Sequence, residues 1–242
     1  MKNGFRFFRR ALKNLFLPPC CLCCSSRETI SDNIFFCQGC FDRLAFSQKP
    51  ICPCCGKIYS AAAGIGHHCP LCLKEHWHFS RARALFIYED PVQVLIRRFK
   101  YQGQFQGLST LYHLKRKMVT GLMEPDVIIP VPLHVDRLKE RGFNQALILA
   151  EKLFPEIHHT LQHSLLIRLL RTPPQTSLSA GERRKNLKNA FAVRDKETVS
   201  GRNILLVDDV FTTGATVNEC ARTLKQAGAA HVQVFTLARV RN

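Results

Sequence analysis

The sequence predicts an α/β domain with a parallel central sheet flanked by helices, preceded by a Cys-rich double zinc ribbon. Four Cys-x2-Cys pairs occur in the first third of the chain, and short apolar runs then alternate with amphipathic helical segments. One apolar run, Ile204–Val207, leads directly into two aspartates and a threonine-rich turn. The composition changes near residue 80, so we expect an N-terminal helix at 1–19, a zinc-ribbon domain at 20–78 and the α/β domain at 80–242.

The chain is strongly basic. Its 242 residues include 35 Lys and Arg against 18 Asp and Glu, which gives a formal net charge of +17. This surplus favours a polyanionic partner such as nucleic acid, or an anionic membrane surface, although a role in solubility explains it as well. No stretch is as long as the roughly 18 consecutive apolar residues that a membrane span needs. We therefore expect a cytoplasmic protein whose cysteines are metal ligands and free thiols.

Residues 5–16 predict an amphipathic helix that ends before Pro18 and Pro19. Arginine and lysine side chains interrupt its apolar residues, so the segment does not fit a secretory signal peptide. The apolar face can dock on the protein itself, on a partner or on a membrane surface, and the sequence leaves these three alternatives open.

The cysteines form a repeat with an offset of 32 residues, in which each unit has two Cys-x2-Cys knuckles separated by thirteen residues. Two knuckles complete a tetrahedral shell of four thiolates, which suits a structural Zn²⁺ and leaves no open position for catalysis. A disulfide framework is the alternative, and it suits a secreted protein better. Cys21 and Cys24 also have the x2 spacing, so the register of the first knuckle is open. The 32-residue repeat favours Cys20 and Cys23 as the ligands. The predicted ligands of two structural zinc ions are Cys20, Cys23, Cys37 and Cys40, and Cys52, Cys55, Cys69 and Cys72.

Strands and helices alternate between the cysteines and the acidic turn. Apolar periodicity and the positions of proline predict strands at 82–88 and 127–132, and helices at 91–100, 108–119 and about 143–154. After the acidic turn, a helix at about 216–227 and a strand at 231–238 complete the pattern. Residues 161–171 are apolar, and we expect them in the core.

Basic side chains follow the second of these strands. His134, Arg137 and Arg141 stand between the strand and the next predicted helix. A strand, a short loop with hydrogen-bond donors and a helix N-terminus together form an anion site. We therefore predict that these residues contact a phosphate, although a structural role fits His134 equally well.

Residues 172–188 form a polar, basic stretch with two prolines. Ser179 and Glu182 fit a capping box that opens a short helix, and Arg183, Arg184 and Lys185 follow. A loop of this composition can close over an anion as a lid, or it can be a solvated surface loop.

The acidic turn is the strongest functional signal in the chain. Asp208 and Asp209 come where the apolar strand should end, and a helix pattern begins shortly afterwards. Backbone N–H groups and threonine hydroxyls in such a turn bind phosphate, whereas the carboxylates suit the hydroxyls of a ribose or a hard cation. The predicted phosphate-binding residues are Val210, Phe211, Thr212, Thr213, Gly214, Ala215 and Thr216.

These motifs resemble two known families. The stretch Val207-Asp-Asp-Val-Phe-Thr-Thr-Gly-Ala-Thr216 is similar to the phosphoribosyl-pyrophosphate (PRPP) loop of type I phosphoribosyltransferases. From about residue 12 to 240, the chain as a whole resembles the ComF family of competence proteins. The motifs of that resemblance are the twin ribbons, Phe99-Lys-Tyr101, Pro130-Val-Pro-Leu133, Arg141-Gly-Phe-Asn-Gln145, Thr172-Pro-Pro-Gln175, Glu182-Arg-Arg-Lys-Asn186 and the PRPP-like loop.

The resemblance implies roles for the predicted site residues. The acid pair Asp208 and Asp209 would hold the ribose hydroxyls at the catalytic position, and residues 210–216 would hold the 5-phosphate of PRPP, with Mg²⁺ as its companion ion. The pyrophosphate would lie near His134, Arg137 and Arg141, under a hood carrying Arg183, Arg184 and Lys185. Membership of the ComF family would imply an N-terminal zinc-binding domain joined to a domain of the type I phosphoribosyltransferase fold. It would also imply a role in natural transformation, in which the protein helps imported single-stranded DNA into the cytoplasm beside a helicase and other processing proteins.

Two functions remain open at this point. In the first, the chain is a binding protein whose phosphate loop holds PRPP, a nucleotide or a phosphorylated DNA end, while basic surfaces hold single-stranded DNA. In the second, it is a Mg²⁺-dependent phosphoribosyltransferase that acts on an unidentified acceptor and releases pyrophosphate. The basic surplus and the zinc ribbons favour the first hypothesis.

Overall fold

The central element is a parallel sheet of four strands in the order β1-β6-β5-β2. The structure is a computed structural model, and it describes residues 20–27, 36–48, 50–59, 66–105, 108–171 and 187–241. The sheet consists of β1 (Arg81–Ile87), β2 (Val127–Pro130), β5 (Asn203–Phe211) and β6 (His231–Arg239), and a separate antiparallel pair consists of β3 (Leu166–Arg168) and β4 (Phe191–Val193).

Helices connect the strands. Pro91 precedes the helix that follows β1, and Gly103 ends that helix in a left-handed conformation. The helices are α1 (Gln38–Asp42), α2 (Pro70–Lys74), α3 (Val92–Gln102), α4 (Leu108–Met118), α5 (Val135–Arg141), α6 (Gln145–Leu153) and α7 (Ala215–Gln226), with a 3-10 helix at Pro155–Thr160. Within the described residues, no helix has both the length and the apolar character to cross a membrane.

The sheet is covered on both faces, which explains why its central strand is apolar throughout. Because side chains alternate along a strand, Ile204 and Leu206 pack on the side of α7, while Leu205 and Val207 pack on the side of α3 and α6. All four side chains are at most 1 % exposed. The expectation of a parallel sheet flanked by helices is therefore confirmed.

The Cys-rich segment covers the open edge of β1. The N–H groups of Ile87 and Ala82 donate to the carbonyls of Ala45 and Cys54 at 2.8 and 2.7 Å, and the N–H of Ser47 donates to the carbonyl of Leu85 at 3.0 Å. Cysteines of the first half of this segment join the core on the α3 side of the sheet, and those of the second half join the core on the α7 side. The edge strand is thus paired and shielded from solvent.

Three elements differ from the sequence prediction. Strand β5 does not end at Val207 but continues to Phe211, because β6 pairs with it as far as Arg239; Asp208 and Asp209 therefore belong to the strand. A short helix, α5, replaces the loop expected after β2. The segment 161–171 is only partly core, because it forms an outlying hairpin with β4 that leaves Leu169 and Leu170 exposed.

Two predicted segments lie outside the described residues. They are the amphipathic helix at 5–16 and most of the polar stretch that begins at Thr172, including Arg183, Arg184 and Lys185. The strands expected at 82–88, 127–132 and 231–238 are present as β1, β2 and β6, and the helices expected near 91–100, 108–119 and 143–154 are present as α3, α4 and α6.

Candidate functional site

A cleft of about 250 Å³ opens at the carboxyl ends of β2 and β5. This is the usual ligand position in a sheet of parallel strands, because loops from neighbouring strands meet there. The cleft combines two carboxylates, two threonines and a wall of cationic side chains. Among its lining residues are Lys100, His134, Arg137, Arg141, Arg168, Arg171, Asp208, Asp209, Thr212 and Thr216.

The acid pair forms the floor of the cleft. The N–H of Asp209 donates to Oδ1 of Asp208 at 2.8 Å. Burial of the Asp208 carboxyl, together with the charge of Asp209, raises its pKa from 3.8 to about 7. Asp208 therefore gains its negative charge near neutral pH. Once it is ionised, it can accept hydrogen bonds from hydroxyl groups.

Lys100 on α3 is the partner of Asp209. Its Nζ lies 2.9 Å from Oδ2 of Asp209, and both side chains are largely buried. Burial by itself would lower the pKa of Lys100, but the charge and hydrogen bond of Asp209 outweigh it and raise the pKa. Lys100 belongs to the Phe99-Lys-Tyr101 motif, but nothing local in the sequence assigned it to the site.

The predicted phosphate turn, residues 211–216, joins β5 to α7. Gly214 caps α7 with φ +78°, and the Ala215 N–H lies 3.4 Å from Oγ1 of Thr213. A Cβ atom on Gly214 would come within 2.6 Å of Cζ of Phe211, so both the backbone conformation and the packing require glycine. Helix α7 has twelve residues, and its first N–H groups point toward the turn.

The predicted phosphate residues divide into two groups. Val210, Thr212 and Thr216 line the cleft. The other four residues, Phe211, Thr213, Gly214 and Ala215, are not among the lining residues. Phe211 and Ala215 are 4 % and 7 % exposed and pack in the core on the α7 side of the sheet.

The opposite wall comes from α5 and α6. His134 caps α5, and its Nδ1 accepts the Asp136 N–H at 3.3 Å. Arg137 and Arg141 follow on this helix and line the cleft, and Arg141 also donates to Gln145. The structure therefore brings the three predicted basic residues to one wall, with His134 in both a structural and a lining position.

Two further arginines line the cleft beside α5, and neither was predicted from the sequence. Arg168 is on β3, where burial and the nearby Arg137 lower its pKa. Arg171 pairs with Asp136 and Glu140 at 3.2 Å each. The only available signal was the presence of two arginines in the segment 161–171, whose apolar residues predicted a place in the core.

The first zinc cluster corrects the predicted register. The structure brings together the sulfur atoms of Cys21, Cys24, Cys37 and Cys40, all within 4.8 Å of one another. Cys20 and Cys23, predicted as ligands, do not join this group. Cys23 is instead buried among apolar residues of the α3 face.

The reason for the shift lies in the turn after the knuckle. Gly56 follows the second cysteine of the other ribbon with φ +71°, and Ser25 has the equivalent conformation with φ 64°. Their N–H groups donate at 3.0 Å to the carbonyls of Cys52 and Cys21, which stand four residues earlier in each knuckle. The residue after the second ligand must be able to adopt the left-handed conformation, and this aligns Cys24 with Cys55.

The second cluster has the predicted members. The sulfur atoms of Cys52, Cys55, Cys69 and Cys72 lie within 4.8 Å of one another. Burial tends to raise the pKa of the Cys52 thiol, but the backbone N–H groups of Cys69 and Cys55 are foremost among the hydrogen bonds that bring it down to about 6. Cys21 in the first cluster has the same pKa of about 6, and again backbone N–H groups outweigh the effect of burial. One thiol of each cluster is therefore favoured as a thiolate, the form in which cysteine binds zinc.

Comparison with known proteins supports both halves of this description. The model of the double zinc ribbon domain matches residues 12–75, and that of the phosphoribosyl transferase domain matches residues 144–242. Competence protein F of Haemophilus influenzae is 36 % identical over 228 residues, which cover 90 % of this chain and 96 % of that protein.

Two further relatives have similar coverage. The DNA utilization protein YhgH of Escherichia coli K12 is 37 % identical over 84 % of this chain and 89 % of its own length. Competence protein ComFC of Bacillus subtilis is 32 % identical over 84 % of this chain and 83 % of its own length. The two cysteine clusters are accordingly the structural zinc sites of a double zinc ribbon.

Proposed function

The chain belongs to the ComF family of competence proteins, and on that premise we propose that it binds PRPP in its cleft and handles imported single-stranded DNA in the cytoplasm during natural transformation. The observation that carries the proposal is the convergence of an acid pair, a phosphate turn and a cationic wall in one cleft. A DNA-uptake helicase and other processing proteins are the partners that this role requires.

The cleft offers a place for each part of PRPP. The turn at Thr212–Thr216, with the N-terminus of α7, provides N–H groups and hydroxyls for the 5-phosphate. Asp208 and Asp209 are positioned for the ribose hydroxyls. The cationic wall, which includes Arg137 and Arg141, faces the region left for pyrophosphate. Mg²⁺ bound to the pyrophosphate would neutralise part of its charge.

A titration of PRPP with Mg²⁺ by calorimetry tests the binding site. We expect binding by the wild type and its loss in the double variant Asp208→Asn/Asp209→Asn, because a neutral amide accepts hydrogen bonds from hydroxyls less strongly than a carboxylate does. Glu197→Gln is the control, since its carboxylate is exposed and does not line the cleft. Equal affinity in the wild type and the double variant would show that the acid pair does not hold the ligand.

The net charge of +17 supports contact with single-stranded DNA. We expect fluorescence anisotropy to show binding of an oligothymidine at low salt and a steep decrease in affinity as salt rises. Comparison of 5′-phosphorylated and 5′-hydroxyl oligonucleotides, with and without excess PRPP, distinguishes DNA ends held in the cleft from DNA held elsewhere. Absence of binding even at low salt contradicts the DNA role.

The Lys100–Asp209 pair beside Asp208 also favours a second candidate function, PRPP-dependent phosphoribosyl transfer. In this function, Lys100 would be a fixed cation beside the ribose, and the cationic wall would stabilise the departing pyrophosphate. Incubation with PRPP, Mg²⁺ and a panel of bases, nucleosides and DNA ends should then release pyrophosphate above the blank. If none is released, this second candidate fails while the binding function stands.

A further inference from the structure

The only tryptophan in the chain, Trp77, packs against the back of the phosphate turn. It belongs to the segment His76–Phe79, which leaves the second zinc ribbon after α2 and leads into β1. Its ring centroid lies 5.0 Å from that of Phe79 and 6.4 Å from that of Phe211. Its Cζ3 lies 3.0 Å from the position that a Cβ of Gly214 would occupy. The indole therefore fills the space behind both ends of the turn.

Hydrogen bonds join the same segment to the first turns of α7. The N–H of His78 donates to Oδ1 of Asn218 at 2.7 Å, and Nδ2 of Asn218 donates to the carbonyl of His76 at 3.5 Å. The N–H of Asn218 in turn donates to the carbonyl of Gly214 at 2.9 Å. Asn218 thus links the segment to the residue that caps the helix.

A second link runs through Arg239 at the end of β6. This buried guanidinium donates to the carbonyl of Cys55, a zinc ligand of the second ribbon, and lies 5.2 Å from the ring centroid of Phe211. The second ribbon therefore contacts the phosphate turn through an aromatic cluster, an amide and a guanidinium. None of these contacts belongs to the lining of the cleft.

We propose that Trp77 is a positioning residue that holds the phosphate turn in its binding conformation and couples the second zinc ribbon to the cleft. This inference rests on the proposed function, because it concerns the site that would hold the 5-phosphate. The physical reason is that a short turn depends on packing for its order. One side of the phosphate turn faces the ligand, so the packing must come from the other side. A turn without that packing opens locally at low free-energy cost.

The unpaired indole N–H makes phenylalanine a conservative substitution for Trp77. Trp77 Nε1 is buried and has no hydrogen-bond partner among the described residues. Phenylalanine keeps an aromatic ring behind the turn and removes this unpaired donor, so Trp77→Phe should keep the positioning function, whereas Trp77→Ala should lose it. Leu73→Ala is the matched control, since Leu73 is 73 % exposed on α2 of the same ribbon.

Amide hydrogen exchange of the ligand-free protein tests the positioning directly. We expect the peptide covering 208–217 to exchange about tenfold faster in Trp77→Ala, with little change in Trp77→Phe and Leu73→Ala. Zinc content and overall melting are measured for each variant. Should Trp77→Ala fail to fold, Asn218→Ala removes the bonds to His76 and His78 and carries the same comparison. Equal protection of this peptide in wild type and in a folded Trp77→Ala or Asn218→Ala variant overturns the inference.

PRPP calorimetry then connects positioning to binding. The expected affinity of Trp77→Ala is about tenfold weaker than that of the wild type, and Trp77→Phe should restore most of it. An unchanged affinity in Trp77→Ala also overturns the inference. If the wild type itself does not bind PRPP, the proposed function fails, and the exchange experiment alone decides whether Trp77 orders the turn.

Discussion

At the scale of single residues, burial in the cleft changes the pKa values of charged side chains that lie next to one another. Asp209 has a buried cation, Lys100, at 2.9 Å, whereas Asp208 has mainly the backbone N–H of its neighbour. Burial and the charge of Asp209 raise the pKa of Asp208 to about 7. The two adjacent aspartates therefore have different electrostatic environments, which strand alternation and the position of α3 create together.

The raised pKa of Asp208 predicts a pH dependence of stability. The folded state holds the proton more tightly than the unfolded state, so the stabilising contribution is complete below about 4 and disappears as pH rises through about 7. The free energy of unfolding of the wild type minus that of Asp208→Asn should therefore fall between pH 5.5 and 7 and become constant above about 7.5. Urea unfolding of both proteins across this range measures it, and the comparison cancels the effect of pH on the zinc sites. A difference that does not change with pH contradicts the assignment.

At the scale of elements, two tight turns set the geometry of the cleft and of the first zinc cluster. The phosphate turn requires Gly214, because β5 extends to Phe211 and the aromatic ring then occupies the space beside the helix start. The first zinc knuckle requires a left-handed residue after its second ligand, and Ser25 occupies that position. In both turns, backbone conformation decides which side chains reach the site.

Gly214→Ala should be more destabilising than another glycine substitution with the same backbone requirement. Gly201 has φ +71° and nothing within 4 Å of a Cβ, so Gly201→Ala should cost only the left-handed strain, about 1–2 kcal/mol. Gly214→Ala adds a contact of 2.6 Å with Phe211 and should cost more and weaken PRPP binding as well. Urea unfolding and calorimetry of both variants measure this. Similar losses of stability in the two variants would mean that the ring of Phe211 moves aside.

The zinc register can be tested with neighbouring cysteines. Cys24→Ser removes a member of the first cluster and should reduce the metal content from two zinc ions to one, whereas Cys20→Ser should retain both. Elemental analysis of the purified proteins provides the readout, and Cys72→Ser serves as the positive control in the second cluster. Loss of zinc from Cys20→Ser with full zinc in Cys24→Ser would restore the register that the 32-residue repeat favours.

At the scale of the whole molecule, the double ribbon and the sheet share one core. The Cys-rich segment pairs with the edge of β1 and packs on both of its faces, so apolar surface of the sheet is buried only while the ribbons are folded. Segments this short depend on metal for their folding free energy. Zinc therefore supports the sheet as well as the ribbons.

Removal of zinc should accordingly lower the stability of the entire chain. After treatment with a strong chelator, we expect a lower melting temperature by circular dichroism and faster amide exchange in β1 and β6. The same chelator saturated with zinc beforehand controls for non-specific effects. Unchanged protection of β1 and β6 after complete zinc release would show that the sheet is stable without the ribbons.

The sequence by itself determined most of the elements and the presence of two zinc shells. Apolar runs predicted β1, β2, β5 and β6, and the paired cysteines predicted the zinc shells. The acidic turn predicts a ribose-phosphate site at the start of α7, and that site stays a prediction. These features depend on local patterns of side chains, which a sequence displays directly. The length of β5 could not be predicted from local sequence, because its extension past Val207 depends on hydrogen bonds with β6.

Only the tertiary structure decided which distant residues join each site. Lys100 reaches Asp209 because α3 packs beside β5, Arg168 and Arg171 reach the cleft from the outlying hairpin, and Trp77 supports the turn from the zinc ribbon. It also moved the first zinc site to Cys21 and Cys24, since a repeat in sequence does not specify backbone torsion angles. The physical reason is the same in each instance: chain packing sets distances between residues far apart in sequence, and no local pattern encodes those distances.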